Sequence, residues 1–328
     1  MRILMMGTGP FAVPTFESLL KSEHEVVALI TRPTPPARGR SKAPPNPMRD
    51  SGEKHSIEIY APDDVNQPAA HEKILAWKPE LLVVCDYGQI LSRDTLALTK
   101  YGGVNLHGSI LPKYRGAAPI NWALYNGESE TGITVIHMTP GLDAGPCLTK
   151  DTTKIADSDD AITLEDRLSK MGVESVLSAI DLLSDWDGES EIGTLQDKTA
   201  ATKAPRLKRN DGDVDWTKST LQLFNQVRAF KPWPGTYTNW LRSSAEPIRI
   251  ILEQVRPETI DAITDPETTA LQPGQVALSD GKEVWIRTGD GYLALTHIKP
   301  AGKRVMEVAE YVRGQKVRQG DFFGTTPS

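Results

Sequence analysis

Cysteine is scarce in this chain, which has only Cys85 and Cys147 among its 328 residues. Two thiols in a chain of this length do not form a disulfide framework, and a reducing cytoplasm is the expected compartment. The chain also lacks any run of about 18 consecutive apolar residues, so no membrane span is expected. The apolar stretch at its start is short and ends at Gly7-Thr8-Gly9-Pro10, which predicts a strand followed by a turn rather than a signal segment.

Positive charge is also limited, because 37 lysines and arginines face 43 acidic residues and the formal net charge is −6. The total therefore gives no general argument for nucleic-acid binding. The cations are nevertheless grouped, and separate basic patches on an acidic protein suit an anionic partner that is touched at several points. Each patch taken alone would also suit a solvated face. The groups include Arg38, Arg40 and Lys42 in a proline-rich loop, then Arg206, Lys208 and Arg209, and near the end Lys303 and Arg304.

The first half of the chain predicts a parallel sheet. A helix predicted from Pro10 to Lys21 lies between two short apolar strands, and such a β-α-β start implies a right-handed crossover. A long amphipathic helix is predicted over Ala161–Ser184. The predicted strands are Arg2–Met6, Val26–Thr31, Leu81–Cys85, Gly103–His107 and Thr131–Met138.

The glycines near the N-terminus do not complete a dinucleotide-binding fingerprint. Gly7-Thr8-Gly9 supplies two of the glycines, but the third position is Ala12. Thr31-Arg32 follow the second strand, where an acidic residue would bind a ribose. The sequence therefore argues against nicotinamide binding.

The second half has a different pattern. Short alternating runs such as Glu283–Thr288 and Tyr292–Ile298 are separated by Asp-Gly and Gly-Asp-Gly turns, which is a strong hairpin signal. We therefore predict an α/β protein, with a Rossmann-like N-terminal domain built on a parallel sheet and a small antiparallel β-barrel of the oligonucleotide-binding (OB-like) type at the C-terminus. The predicted bounds are 1–189 for the first domain, 190–207 for a linker and 208–328 for the barrel.

The most informative stretch runs from Asn105 to Pro112. Its apolar and polar residues alternate, so Asn105 and His107 share one face at the end of a predicted strand. Polar side chains at the carboxyl end of a strand lie where α/β proteins bind ligands. The alternative is a capped strand in which both side chains only satisfy the turn backbone.

A carboxylate follows the next predicted strand, at Asp143 in Gly141-Leu142-Asp143-Ala144-Gly145. If the two strands are neighbours, Asn105, His107 and Asp143 converge. Such a set suits addition and elimination at a carbonyl carbon. The amide donates to a developing oxyanion, the imidazole accepts a proton near neutral pH, and the carboxylate orients the imidazole or helps to move the proton.

Other chemistries fit less well. Ser109 follows His107 by two residues, but no nucleophile-elbow sequence surrounds it. His107, His137 and Asp143 could coordinate zinc in principle. The chain lacks paired-ligand spacings such as HExxH or CxxC, so no metal is expected.

The run Asn105–Pro119, together with Gly141-Leu142-Asp143 and Gly7–Ala12, resembles the 10-formyltetrahydrofolate-dependent formyltransferases. Arg228–Pro234 and Lys299–Lys303 are similar to the second domain of the members that act on methionyl-tRNA. The resemblance implies that Asn105, His107 and Asp143 are catalytic. It also implies that the formyl group passes from 10-formyltetrahydrofolate directly to the methionine amine of initiator methionyl-tRNA, through a tetrahedral intermediate.

The same resemblance implies two binding surfaces. A folate site would be lined by Ser109, Ile110, Leu111 and Pro112 together with Tyr87, Gly88 and Gln89. Transfer RNA would be contacted by Arg38, Arg40, Lys42, Arg206, Lys208, Arg209, Lys303 and Arg304. Asp86 departs from the family pattern, in which the residue before Tyr87 is usually apolar, and this leaves the folate contact there open. Two readings of the whole chain also stay open beside the main one. The first keeps the folate donor and changes the acceptor, as in sugar-nucleotide formyltransferases or the hydrolase-like domain of formyltetrahydrofolate dehydrogenase, and the second is a non-catalytic RNA-binding module that carries a vestigial α/β domain. A monomer is expected.

Overall fold

The computed structural model describes residues 1–36, 44–242, 245–262, 270–279 and 281–324. The chain divides into two compact units, each made of several segments. The first unit comprises Met1–Ile120, Ser129–Ile155 and Thr163–Arg206, and the second comprises Asn121–Glu128, Ala156–Ile162 and Leu207–Ser328. Our predicted domain bounds stay a prediction, but most of the predicted linker belongs to the first unit.

The described residues of the first unit form nine strands. They are β1 Arg2–Gly7, β2 Glu25–Ile30, β3 Ile59–Tyr60, β4 Leu81–Cys85, β5 Gly103–His107, β6 Arg115–Gly116, β7 Glu130–His137, β8 Cys147–Lys154 and β9 Lys203–Ala204. Seven of them form one sheet in the order β3-β2-β1-β4-β5-β7-β8, while β6 and β9 pair separately. The pairs from β3 to β5 are parallel, as predicted, and β7 runs antiparallel to both β5 and β8. The Rossmann-like fold is therefore confirmed, with an antiparallel edge of the kind common in large sheets.

Between Met1 and Ser184 the described residues form six α-helices, and the last two of these cross from one unit into the other. They are α1 Val13–Leu19, α2 Pro47–Lys54, α3 Pro68–Trp77, α4 Arg93–Leu96, α5 Pro119–Tyr125 and α6 Ala161–Ser184. The helix predicted over Pro10–Lys21 is shorter than expected, because Pro10–Ala12 forms a 3₁₀ turn before α1 begins.

Helix α6 covers one face of β5. A β-carbon on Gly172 would lie 2.4 Å from Cδ2 of Leu106, so the helix approaches the strand too closely for any side chain there. Because side chains alternate along a strand, Asn105 and His107 point to the face opposite Leu106. The close packing of α6 thus reserves the other face of β5 for polar residues.

In its described residues the second unit has an antiparallel sheet and, besides parts of α5 and α6, two further helices. Its strands are β10 Thr236–Arg242, β11 Ala245–Thr259, β12 Val276–Ser279, β13 Val284–Arg287, β14 Gly291–Pro300, β15 Met306–Glu307 and β16 Phe322–Gly324, and its helices are α7 Thr220–Ala229 and α8 Val308–Gln315. The strand order is β12-β13-β14-β11-β10-β16, and β15 pairs with β14.

This sheet curls towards closure. An isolated bridge joins Gln275 to Phe322, so the segment leading into β12 contacts β16 at the far end of the strand order. Inside the curl, α7 and α8 contribute Leu223, Val227 and Tyr311 to a buried apolar cluster with the strands. The predicted C-terminal antiparallel barrel is confirmed as a curled, nearly closed sheet. Within the described part of the chain, no helix combines the length and the apolar character that crossing a membrane requires.

Candidate active site

Strand β5 has the bounds that the sequence predicts, and it presents its two polar side chains together. Asn105 is half-buried, and His107 is only 5% exposed. Strand β7 lies directly beside β5, with Asn105 opposite Ile136 and His107 opposite Thr134. The three side chains could converge only if β5 and β7 were neighbours, and the two strands are neighbours.

Asp143 completes the group. Asn105 Nδ2 donates to Asp143 Oδ1 over 3.4 Å, and His107 Nδ1 lies 3.7 Å from Asp143 Oδ2. The structure thus brings together the amide, the imidazole and the carboxylate that the sequence singled out. The loop that carries Asp143 folds tightly, because a β-carbon on Gly145 would lie 1.8 Å from the carbonyl oxygen of His137.

The imidazole of His107 has a defined orientation. Its Nε2 lies 2.9 Å from the carbonyl oxygen of Tyr114. A carbonyl oxygen only accepts hydrogen bonds, so Nε2 carries a proton and donates it. The nitrogen able to gain or lose a proton is therefore Nδ1, which faces Asp143.

The carboxylate of Asp143 also has a backbone donor. The amide of Gly116 donates to Asp143 Oδ2 over 2.8 Å. Tyr114 and Gly116 lie two residues apart, where a turn runs into β6, so this short segment fixes the far side of the His107 ring and one carboxylate oxygen together. A proton exchanged between His107 and Asp143 would move within a rigid backbone frame.

The side chains considered above for a serine nucleophile and for a zinc site make other hydrogen bonds. Ser109 is completely buried, and its hydroxyl donates to the carbonyl oxygen of Lys113 over 2.7 Å, which is a turn-stabilising role rather than that of a nucleophile. His137 Nε2 donates to the carbonyl oxygen of Tyr101 over 3.0 Å instead of joining His107. Among the described residues, no cluster of three or more His, Cys, Asp or Glu side chains could hold a metal ion.

The residues predicted to line a folate site differ in exposure. Ser109, Leu111 and Tyr87 are buried. Gln89 is half-buried, and its amide accepts from the backbone of Val65 and donates to the carbonyl oxygens of Pro62 and Asp63. Ile110, Pro112 and Gly88 keep exposed surface. A ligand at this position would contact Ile110, Pro112 and Gly88, whereas the buried residues would shape the turns beneath it.

Asp86 occupies the space above the N-terminal glycines. It follows β4 with a positive φ of 46°, and a β-carbon on Gly9 would lie 1.7 Å from its Oδ2. Surrounding protein raises the pKa of the Asp86 carboxyl to about 6, even though the residue keeps an exposed surface. An acidic side chain over this turn disfavours phosphate, in agreement with the incomplete dinucleotide fingerprint.

Glu165 on α6 has a similarly altered acidity. Burial, and then the charge of Asp86, raise the pKa of the Glu165 carboxyl to about 7. These two acids take up protons more readily than ordinary carboxyls at neutral pH. No local pattern distinguishes Glu165, since it is one of several acidic residues along an amphipathic helix.

The predicted tRNA contacts are distributed along the chain. Arg38, Arg40 and Lys42 lie outside the described residues. Arg206, Lys208, Arg209 and Lys303 are exposed. Arg304 is also exposed, but its Nη2 lies 2.7 Å from Glu310 Oε1, so part of its charge is compensated. Their role in tRNA binding stays a prediction.

Comparison with known proteins agrees with the geometry. Residues 1–180 match the family described as formyl transferase, and residues 206–316 match the formyl transferase C-terminal domain. The chain is 38% identical to the methionyl-tRNA formyltransferase of Rhodopirellula baltica, over 98% of this chain and 96% of that protein. It is 36% identical to the methionyl-tRNA formyltransferase of Geobacter sulfurreducens, over 100% and 98%. The chain belongs to the methionyl-tRNA formyltransferase family.

The fold has solved relatives as well. HypX from Aquifex aeolicus, crystallised with tetrahydrofolic acid, superposes with a TM-score of 0.62 at 19% identity. The match covers 99% of this chain, which spans about half (51%) of HypX. At that identity the likeness shows the shared fold alone. For this member of the methionyl-tRNA formyltransferase family, the three meeting side chains lie in the first matched region, and Lys208, Arg209 and Lys303 lie in the second.

One residue that contacts the site was missed by the sequence analysis. Gln196 hydrogen-bonds the backbone of the Asp143 loop. It lies in a polar, weakly patterned segment that we predicted to be a linker. No periodicity or motif distinguishes such a glutamine, so only the structure reveals its contacts.

Proposed function

We infer that this protein transfers the formyl group of 10-formyltetrahydrofolate to the α-amino group of methionine on initiator methionyl-tRNA. The product is N-formylmethionyl-tRNA, which serves translation initiation. The observation that carries this inference is the meeting of Asn105, His107 and Asp143 above β5, in a chain related over its full length to methionyl-tRNA formyltransferases.

The geometry supports direct transfer through a tetrahedral intermediate. A carbon–nitrogen bond forms between the methionine amine and the formyl carbon, and the bond from that carbon to the folate nitrogen breaks. Asn105 has a second amide hydrogen beyond the one directed at Asp143, and this hydrogen donates to the oxyanion as it develops. The attacking amine loses a proton to the pair formed by His107 Nδ1 and Asp143, and the pair returns a proton to the departing nitrogen.

The binding surfaces follow from exposure. We propose that Ile110, Pro112 and Gly88 contact the folate, and that Ser109, Leu111, Tyr87 and Gln89 hold the surrounding turns. Arg206, Lys208, Arg209, Lys303 and Arg304 would contact the tRNA backbone, as would Arg38, Arg40 and Lys42. The reaction as proposed needs no metal. A monomeric state and a cytoplasmic location are part of the same proposal, and the free thiols of Cys85 and Cys147 agree with a reducing compartment.

The test is to incubate the protein with methionyl-tRNA and 10-formyltetrahydrofolate and to detect N-formylmethionine after hydrolysis of the ester. The Asn105→Ala variant serves as the matched control, because it lacks only the amide donor. Formylation by the unmodified protein and strongly reduced formylation by the variant are expected. Formylation of an amino-sugar nucleotide in place of methionyl-tRNA would overturn the proposed acceptor.

A further inference from the structure

The segment from Thr194 to Ala204 lies against the turns that form the site. Thr194 and Cys147 exchange two backbone hydrogen bonds of 2.8 Å, next to the Asp143 loop. The carbonyl oxygen of Thr202 accepts from the amide of Arg115 over 2.9 Å, and its hydroxyl accepts from the amide of Tyr114 over 2.8 Å. Immediately afterwards β9 pairs with β6. The segment is therefore joined to both sides of the site rather than passing freely along the surface.

Gln196 makes the most direct of these connections. Its Nε2 donates to the carbonyl oxygens of Asp143 and Gly145, over 2.8 and 2.7 Å. Its Oε1 accepts from Nε and Nη2 of Arg115, over 3.1 and 2.6 Å. Carbonyl oxygens only accept and a guanidinium only donates, so the orientation of the amide is unambiguous. Both hydrogens of Nε2 and both lone pairs of Oε1 are therefore used.

The backbone that Gln196 holds needs support. Asp143 has a φ of +47°, in the left-handed region that costs a residue with a side chain about 1 kcal/mol or more. The two bonds from Gln196 fix the carbonyl oxygens of Asp143 and of Gly145, on either side of Ala144. Without them, the loop would relax towards conformations that turn the carboxylate away.

Gln196 Oε1, through Arg115, contacts the segment whose backbone binds the Asp143 carboxylate. Arg115 immediately precedes Gly116, whose amide donates to Asp143 Oδ2 over 2.8 Å. The side chain of Gln196 therefore links the loop that carries the carboxylate to the turn that binds it.

We propose that Gln196 is a positioning residue for formyl transfer, which holds the Asp143 carboxylate facing His107 Nδ1 and Asn105. This inference rests on the proposed function. It places Gln196 outside the group that touches the substrates, and it assigns the role to this side chain alone rather than to the segment that carries it.

The test compares Gln196→Met, which has a similar length and no hydrogen-bonding amide, with the unmodified protein. We expect kcat to fall about 10- to 100-fold, while the KM values for folate and tRNA change less than about threefold, because only the geometry of the reacting groups is altered. Asp197→Ala is the control within the same segment. Asp197 caps the adjacent 3₁₀ turn through the amide and hydroxyl of Thr199, so this variant loosens the segment without touching the site.

A double-mutant cycle separates positioning from general stability. If Gln196 acts through the carboxylate, Gln196→Met reduces kcat little further when it is added to Asp143→Asn. Equal effects of Gln196→Met in the two backgrounds, or an equal loss of kcat in Asp197→Ala, would overturn the inference.

A second variant covers the case in which the first one unfolds, and the activity of the unmodified protein separates the positioning role from the proposed function. If Gln196→Met does not fold, Gln196→Glu replaces it. The glutamate carboxylate still accepts from Arg115 but cannot donate to the carbonyl oxygens of Asp143 and Gly145. Unchanged kcat in Gln196→Glu also overturns the inference. Absence of formyl transfer by the unmodified protein refutes the proposed function itself, whereas an active parent with an equally active Gln196→Met refutes only the positioning role.

Discussion

Asp143 Oδ2 lies 3.7 Å from His107 Nδ1, on the side of the ring opposite to the nitrogen that donates to a backbone carbonyl. The ring therefore cannot exchange roles between its two nitrogens without losing that backbone bond. His107 Nδ1 and the Asp143 carboxylate therefore face each other next to the Asn105 amide.

Asp143→Asn keeps an oxygen that can accept from the Gly116 amide but removes the group that can hold the proton. We expect kcat to fall by about 10²–10⁴, which is the usual contribution of a positioned acid or base. Single-turnover formylation measures the chemical step directly. Asp166→Asn, at an exposed position on α6, is the control and should retain activity. Near-normal turnover in Asp143→Asn would remove this residue from the proton transfer.

Asn105→Ala removes the proposed oxyanion donor, and kcat should fall by about 10²–10³. Asn105→Asp has nearly the same shape but places a second carboxylate beside Asp143, so its loss should be at least as large. Folate binding, measured by equilibrium titration, should change little in both variants. A loss confined to folate affinity would assign Asn105 to substrate binding instead.

Gly9→Ala tests the contact between Gly9 and Asp86. The new β-carbon would overlap Asp86 Oδ2, so the carboxylate must turn away; because this is the end of an exposed side chain that can rotate, we expect the free energy of unfolding to fall by no more than about 1 kcal/mol. In the Asp86→Ala background the overlap disappears, and Gly9→Ala should then cost clearly less. Chemical denaturation of the two single variants and the double variant measures the coupling. Additive effects would show that the overlap does not determine the stability loss.

Glu165→Gln tests the raised pKa of Glu165. The carboxyl takes up a proton more readily in the folded protein, where its pKa is about 7, than in the unfolded chain, where 4.5 is usual. The folded state therefore binds more protons between these values, and the free energy of unfolding falls as the pH rises through this window. The neutral glutamine should reduce this slope, leaving the part that Asp86 contributes below about pH 6, and stabilise the protein by about 1–2 kcal/mol at pH 8, allowing for solvent screening. Denaturation curves from pH 4.5 to 8 measure the effect, and an unchanged slope would contradict it.

The basic residues can be ranked by salt dependence of tRNA binding. Lys208→Ala and Arg209→Ala should each reduce the slope of log affinity against log salt by about 1, since each removes a phosphate contact. Arg304→Ala should reduce it less, because Glu310 already compensates part of that charge. Equal effects at all three positions would show that the ion pair opens when tRNA binds.

The parts of the fold that the sequence predicted are those with a strong local period. Gly103–His107 and Ala161–Ser184 have their predicted bounds, because alternation and a long apolar stripe are visible in the sequence. The direction of β7 was not predicted, since a buried apolar run is the same read in either direction. Helix α7 was also missed. Its N-terminal capping box, formed by Ser219 and Gln222, is a short signal beside a weak apolar pattern.

The site shows the same division. Asn105 and His107 were found through strand periodicity, and Asp143 through its glycine-flanked loop. The hydrogen bonds of Gln196 and the raised pKa of Glu165 depend on residues far away in sequence, which no local pattern encodes. The pairing of Arg304 with Glu310 was missed for a related reason, because whether a cation is free depends on how the loop before α8 folds.

The division of the chain into interleaved segments affects how it can be cut. Residues 121–128 belong to the second unit, where the ring of Tyr125 stacks on Phe230 with centroids 5.1 Å apart. A fragment ending at Arg206 would keep Asn105, His107 and Asp143 but strip Trp122 and Tyr125 of their aromatic partner. An inactive N-terminal fragment would then report a damaged hydrophobic surface, and point substitutions are the sounder way to separate catalysis from tRNA binding.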